Sequence, residues 1–134
     1  MSQENVELVR SVFADWERGD WGSTEWADPE IEFVIADGPD LRNLKGLPAM
    51  AAGWRDFLTA WTGYGVQAEE YRDLGDDRVL VILHAVGRGR ISGVELGQTT
   101  GKGANLYHVS GNKVTRLVIY FDHTRAFDDL GLEA

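Results

Sequence analysis

The chain has 134 residues, no cysteine, and a formal charge of −9 from 13 Lys plus Arg against 22 Asp plus Glu. That size suits one domain spanning residues 1–134. The acidic balance disfavours nucleic acid and anionic membrane as partners, since both need a basic face, and a chain without cysteine has no disulfide framework and no thiolate chemistry.

No apolar run approaches membrane-spanning length. The opening Met1-Ser2-Gln3-Glu4-Asn5 lacks the basic and apolar regions of a signal peptide. A cytoplasmic protein is the expected setting.

Residues 3–18 read as a helix. Val6, Val9, Phe13 and Trp16 recur at helical spacing, and Gly19 supplies a stop. A short second helix is expected at Ser23–Ala27, carrying Trp26 and ended by Asp28-Pro29. Ile31, Phe33 and Ile35 alternate as in a strand, which Asp37-Gly38-Pro39-Asp40 breaks. A third helix is expected over 48–62, with Pro48 in its first turn. Its apolar stripe is Met50, Trp54, Phe57, Leu58 and Trp61, and Gly63 ends it.

A half-exposed strand near Gly65–Leu74 is followed by the turn Gly75-Asp76-Asp77 and by the buried-type strand Val79–Val86. Gly87-Arg88-Gly89-Arg90 lets that strand bend. Residues 94–102 form a further strand or loop.

Next comes a hairpin. Gly111-Asn112 can take the positive φ angles of a two-residue turn. Ser110 then faces Lys113. In that register Val109, Tyr107 and Asn105 oppose Val114, Arg116 and Val118 on one face, which Tyr120 continues. His108, Leu106 and Ala104 oppose Thr115, Leu117 and Ile119 on the other. The second face runs on to Phe121, is nearly all apolar, and is expected to cover the main core. The first mixes Tyr and Arg among valines, as a protein contact does. Residues 123–130 read as a last short helix stopped by Gly131. Helices first and strands after make an α+β pattern, with about three N-terminal helices on the concave face of a curved, mostly antiparallel sheet.

In chain order, Ser2-Gln-Glu-Asn-Val6 opens a helix, Arg88-Gly-Arg-Ile-Ser-Gly93 follows a buried strand, Gly111-Asn-Lys-Val-Thr-Arg116 makes the hairpin, and Tyr120-Phe-Asp122 precedes a short helix ending Gly131-Leu132. This arrangement resembles the SnoaL-like branch of the nuclear-transport-factor-2-like superfamily. The resemblance implies a conical α+β barrel, a pocket between helices and sheet, and a homodimer through the convex face. Ketosteroid isomerase, limonene-epoxide hydrolase and polyketide cyclases share that superfamily, so fold does not name a reaction.

Epoxide hydrolysis there uses a carboxylate at the position held here by Ile119, and an aliphatic chain cannot activate water. Isomerisation needs a carboxylate base and acidic donors, and the first helix here has Trp16 where a tyrosine is usual. His84, His108 and His123 have no metal-cluster spacing, so neither metal nor cofactor is expected.

The remaining candidates for acid–base work are His108, His84 and Asp122. Each has a plain structural reading beside the functional one. His108 suits a partly exposed strand, His84 a satisfied core position, and Asp122 a helix cap. The expected pocket wall is Trp16, Phe33, Trp54 and Trp61 from the first half of the chain, with Leu106, Leu117, Ile119 and Phe121 from the hairpin. Two functions follow: a small-molecule-binding protein acting on a hydrophobic ligand as a cofactor-independent isomerase, cyclase or hydratase, or a non-catalytic ligand-binding or dimerisation module.

Overall fold

The computed structural model describes residues 2–20, 22, 24–37, 41–59, 61–89 and 102–132. The expected strand or loop at 94–102 lies almost entirely outside these residues. Helix α1 spans Ser2–Glu17, followed by β1 (Ala27–Ile35), β2 (Arg42–Lys45), α2 (Leu47–Thr59), β3 (Trp61–Gly75), β4 (Arg78–Gly89), β5 (Lys102–Ser110), β6 (Lys113–Tyr120) and α3 (His123–Leu130). The strands form one curved, open sheet in the order β2-β1-β6-β5-β4-β3. Among the described strands only β1 and β6 run parallel; every other neighbouring pair is antiparallel.

Helix α1 turns Val9, Val12, Phe13 and Trp16 onto one side of this sheet, and α2 adds Met50 and Phe57. Their partners there include Phe33, Val81, Tyr107, Leu117 and Ile119. This is the inner face. The outer face is apolar too, because α3 covers it: Ala126 and Phe127 pack with Leu80, Ile82, Leu106 and Tyr120. The α+β class and the curved sheet with helices on its inner face are thus as the sequence implies, but two N-terminal helices lie there rather than three, and the last short helix expected at 123–130 forms as α3 on the opposite side.

Residues 24–27 do not form the expected short helix. Glu25 and Trp26 make a turn, and Ala27 already opens β1. The irregularity comes instead as a register shift between Ala27 and Glu32, around Asp28-Pro29; proline donates no ladder hydrogen bond, which places it at such breaks. The short edge strand β2 was not legible, and Gly63 lies within β3 rather than after a helix.

The hairpin turn forms as expected, with φ of 57° at Gly111 and 63° at Asn112. Ser110 opposes Lys113, and Val109 opposes Val114. Then the register shifts. His108 opposes Arg116, Tyr107 opposes Leu117, and Leu106 opposes Val118, leaving Thr115 as the extra residue of a β-bulge. Its hydroxyl donates to the His108 carbonyl at 3.3 Å. This shift corrects the expected faces. Tyr107 and Asn105 go inward with Leu117 and Ile119, whereas Leu106 goes outward with Val118 and Tyr120. The proposed contact face of Tyr107, Arg116, Val118 and Tyr120 therefore does not exist as one patch. Tyr107 is fully buried under the helices, and Val118 and Tyr120 sit in the outer cluster with α3.

Close backbone approach explains one glycine. A Cβ on Gly103 would lie 2.9 Å from the Tyr120 carbonyl oxygen and 3.4 Å from that of Phe121. Backbone cannot step aside as a flexible side chain can. Gly103→Ala should therefore lower stability by about 1–3 kcal/mol through overpacking. Urea unfolding checks this, and an unchanged midpoint would contradict the packing described.

Candidate functional site

A cavity of about 340 Å³ opens between the C-terminal end of α1, the segment before β1, helix α2 and the inner sheet face. Its aromatic wall is Trp16, Trp26, Phe33 and Trp54, and Met50, Leu58 and Leu117 supply the aliphatic part. Helical spacing puts Met50, Trp54 and Leu58 on one stripe of α2. Strand alternation puts Phe33 and its cross-strand partner Leu117 side by side beneath them.

The rings are organised. Trp16 stacks on Trp54 at 5.2 Å between centroids, Trp54 on Phe57 at 5.4 Å, and Phe57 on Phe121 at 5.7 Å. Phe33 and Trp26 meet this row edge-on, through Trp54 and Trp16. Such offset and T-shaped pairs each add about 0.5–1.5 kcal/mol beyond the area they bury.

Of the residues expected to wall a pocket, the structure puts Trp16, Phe33, Trp54 and Leu117 at this cavity. Trp61, Ile119 and Phe121 pack in the same inner cluster but away from the cavity wall. Leu106 is on the opposite face, because of the bulge.

The three candidate acid–base residues do not gather at the cavity. His108 is half-buried on the outer face, in a cross-strand row between Arg78 and Arg116. Burial, and behind it the positive charges of Arg116 and Arg78, hold its imidazole below the ordinary value, with Glu32 pulling weakly the other way. His84 follows the inward Leu83 on β4 and so faces outward as well, opposite Lys102. Asp122 caps α3: one carboxylate oxygen accepts from the Thr124 amide at 2.9 Å and from its hydroxyl at 2.7 Å. Those bonds, the hydroxyl's first, hold the Asp122 carboxyl below its usual range. Among the described residues no group of three His, Asp or Glu side chains could hold a metal ion, and no helix is long and apolar enough to cross a membrane.

Two polar features escaped sequence reading. The first is inside the cone. Asn105 and Tyr107 are buried on the inner face, with the Asn105 amide 3.5 Å from the Tyr107 hydroxyl, and the Tyr107 ring lies 6.5 Å from Trp16, in the core beside the cavity wall. Burial raises Tyr107 well above the usual phenol value and raises Tyr64 likewise. These phenols stay protonated and can donate a hydrogen bond, but they cannot serve as bases near neutral pH. The bulge hid this pair. The second feature is Arg55, which with Thr24 adds a polar edge to an otherwise apolar cavity. It stands one residue beyond the α2 stripe; its place four residues after Ala51 and three before Leu58 was the available signal.

No protein-family model matches the sequence, and no curated protein matches it. Solved structures do. Bal32a from a soil-derived mobile gene cassette superposes with a TM-score of 0.75 at 18% identity, covering 96% of each chain. An NTF2-like protein from Burkholderia thailandensis gives 0.72 at 19% identity, over 87% of this chain and 88% of that one. A "putative polyketide cyclase" from Xanthomonas campestris gives 0.65 at 18% identity, over 95% and 96%. The chain therefore has the NTF2-like α+β cone fold. At these identities the likeness concerns fold, and the site must be argued from its own residues.

His108 gives the outer face a measurable signature. Its folded-state pKa lies below the ordinary 6.5, so the unfolded chain takes up this proton first as pH falls. The stability it permits is complete above about pH 6.5 and is lost as pH falls toward the folded value. Wild type should lose more stability than His108→Gln between pH 7.5 and pH 5 in urea unfolding. Parallel losses would contradict the assigned surroundings.

Proposed function

We propose that this protein binds a small, mostly apolar, flat molecule in the cavity between α1, α2 and the inner sheet face. The observation that carries the reading is the aromatic lining of a space of about 340 Å³. Ligand pockets run from about 300 to 1,000 Å³ and combine apolar walls with few polar groups. Indole faces stack on flat rings, and burying apolar area supplies most of the affinity. The NTF2-like fold supports the same placement, since its helices and sheet leave room at this end of the cone. A cytoplasmic setting and a homodimer belong to the same proposal. The outer surface still open to a second copy includes Arg116, and sedimentation at micromolar concentration decides whether a dimer forms.

A second reading, cofactor-independent catalysis of isomerase, cyclase or hydratase type, is favoured by one observation. The buried Tyr107 phenol is held protonated beside the Asn105 amide, as a group that polarises a carbonyl oxygen must be. It requires a ligand that reaches past Trp16. Binding without turnover is the simpler reading, because Arg55 is the one ionisable side chain among the described cavity residues.

The test fills the cavity from an exposed position. Ala51 lies at the cavity on the solvent side of α2, so Ala51→Phe should leave the fold intact. It should weaken binding of a naphthalene-sized probe at least about tenfold by occupying its space. Tryptophan fluorescence titration reads this. Unchanged affinity in the folded variant would remove the cavity as the binding site. For the catalytic reading, Tyr107→Phe should abolish turnover of any substrate found while preserving its binding.

A further inference from the structure

Arg55 bears on what kind of molecule the cavity takes. The chain carries 22 acidic residues against 13 basic ones, so carboxylates that could pair with Arg55 are plentiful. On an α-helix those partners stand three or four residues away. Around Arg55 these positions are Ala51, Ala52, Leu58 and Thr59. The one acid of α2, Asp56, is the next residue in sequence and pairs instead with Arg42 at 3.7 Å.

Three acids elsewhere near this end of the molecule have partners of their own. Asp15 pairs with Arg18, the Asp20 carboxylate accepts from the Gly22 amide at 3.2 Å, and Glu17 accepts from the Ala68 amide at 2.8 Å. Among the described residues no carboxylate lies within 4 Å of the Arg55 guanidinium. Yet Arg55 lines the same cavity as Trp54 and Leu58.

An apolar pocket rejects a lone charge, since the ion loses its hydration without return. A guanidinium at the edge reverses that for one geometry. Its planar fork matches a carboxylate through two parallel hydrogen bonds. We infer that the cavity is built for an aromatic carboxylate, its rings against Trp16 and Trp54 and its carboxylate on Arg55. This rests on the proposed cavity function and adds the charge of the ligand to it. Because Arg55 is exposed, the pairing gives a modest preference rather than a dominant one.

The experiment compares 2-naphthoate with 2-naphthamide, which share size and rings and differ in charge. Quenching of tryptophan fluorescence gives both affinities for the wild type, Arg55→Gln and Arg55→Lys. The wild type should hold naphthoate about five- to tenfold tighter, in line with a partly exposed charged hydrogen bond. That preference should shrink with added salt. Arg55→Gln should erase it while leaving naphthamide affinity within about twofold, and Arg55→Lys should keep part of it, as a charge without the fork. Equal binding of the two compounds by the wild type, or a preference that survives in Arg55→Gln, would overturn this inference and leave the apolar cavity standing. Failure of both compounds to bind the wild type would overturn the cavity reading itself and this one with it.

Discussion

The bulge at Thr115 sets which side chains meet which helices. Two residues from the turn, Val109 and Val114 are still in the register that a Gly-Asn hairpin dictates. One residue later β6 has gained a position on β5, held by the Thr115 hydroxyl on the His108 carbonyl. Because a strand's side chains alternate, that single residue reassigns the two faces of β6 relative to β5. It sends Tyr107 and Asn105 inward to join Leu117 and Ile119, and it leaves His108 and Arg116 paired on the outside. Without it, an arginine would share the inner face with the buried tyrosine. An unpaired guanidinium there would cost several kcal/mol.

The same sheet carries an apolar cluster on each side, and this divides the labour. The inner side meets α1 and α2, and a cavity remains at the Trp16–Trp54 end. On the outer side α3 covers Leu80, Ile82, Leu106 and Tyr120 and leaves the row of Arg78, His108 and Arg116 outside its cover. That short helix is fixed at its start by Asp122 and ended by Gly131 in the left-handed conformation at φ 68°. Asp37 ties the join between β6 and α3: its two carboxylate oxygens accept from the Phe121 amide at 2.6 Å and the Asp122 amide at 3.1 Å. Asp122 is therefore an end-piece of the outer layer, and its carboxylate is already occupied in that role.

Much of this was legible in the sequence, for reasons that also explain what was not. The helix of Val9, Phe13 and Trp16 and the stop at Gly131 follow from strong local signals, as does the turn at Gly111-Asn112. The wall residues Trp16, Phe33 and Trp54 follow from periodicity together with the resemblance. The bulge was not legible, because Val114–Phe121 is apolar at almost every position, and a pattern that suits two buried faces carries no register information. His108 was misplaced for that reason alone. Arg55 was passed over because an arginine on an exposed helix ordinarily signifies nothing. Its meaning appears only once the cavity beside it, and the absence of acids at its helical neighbours, are seen together.

The central claim is that ligands enter on the inner face, among the tryptophans, and not beside the histidines. A proton–nitrogen NMR titration with 2-naphthoate addresses it directly, since indole and imidazole signals are separately resolved. The account predicts that the indole resonances of Trp16, Trp26 and Trp54 shift with a common saturation curve, while the rings of His84 and His108 stay where they are. Shifts concentrated at His84 or His108 with silent indoles would contradict it.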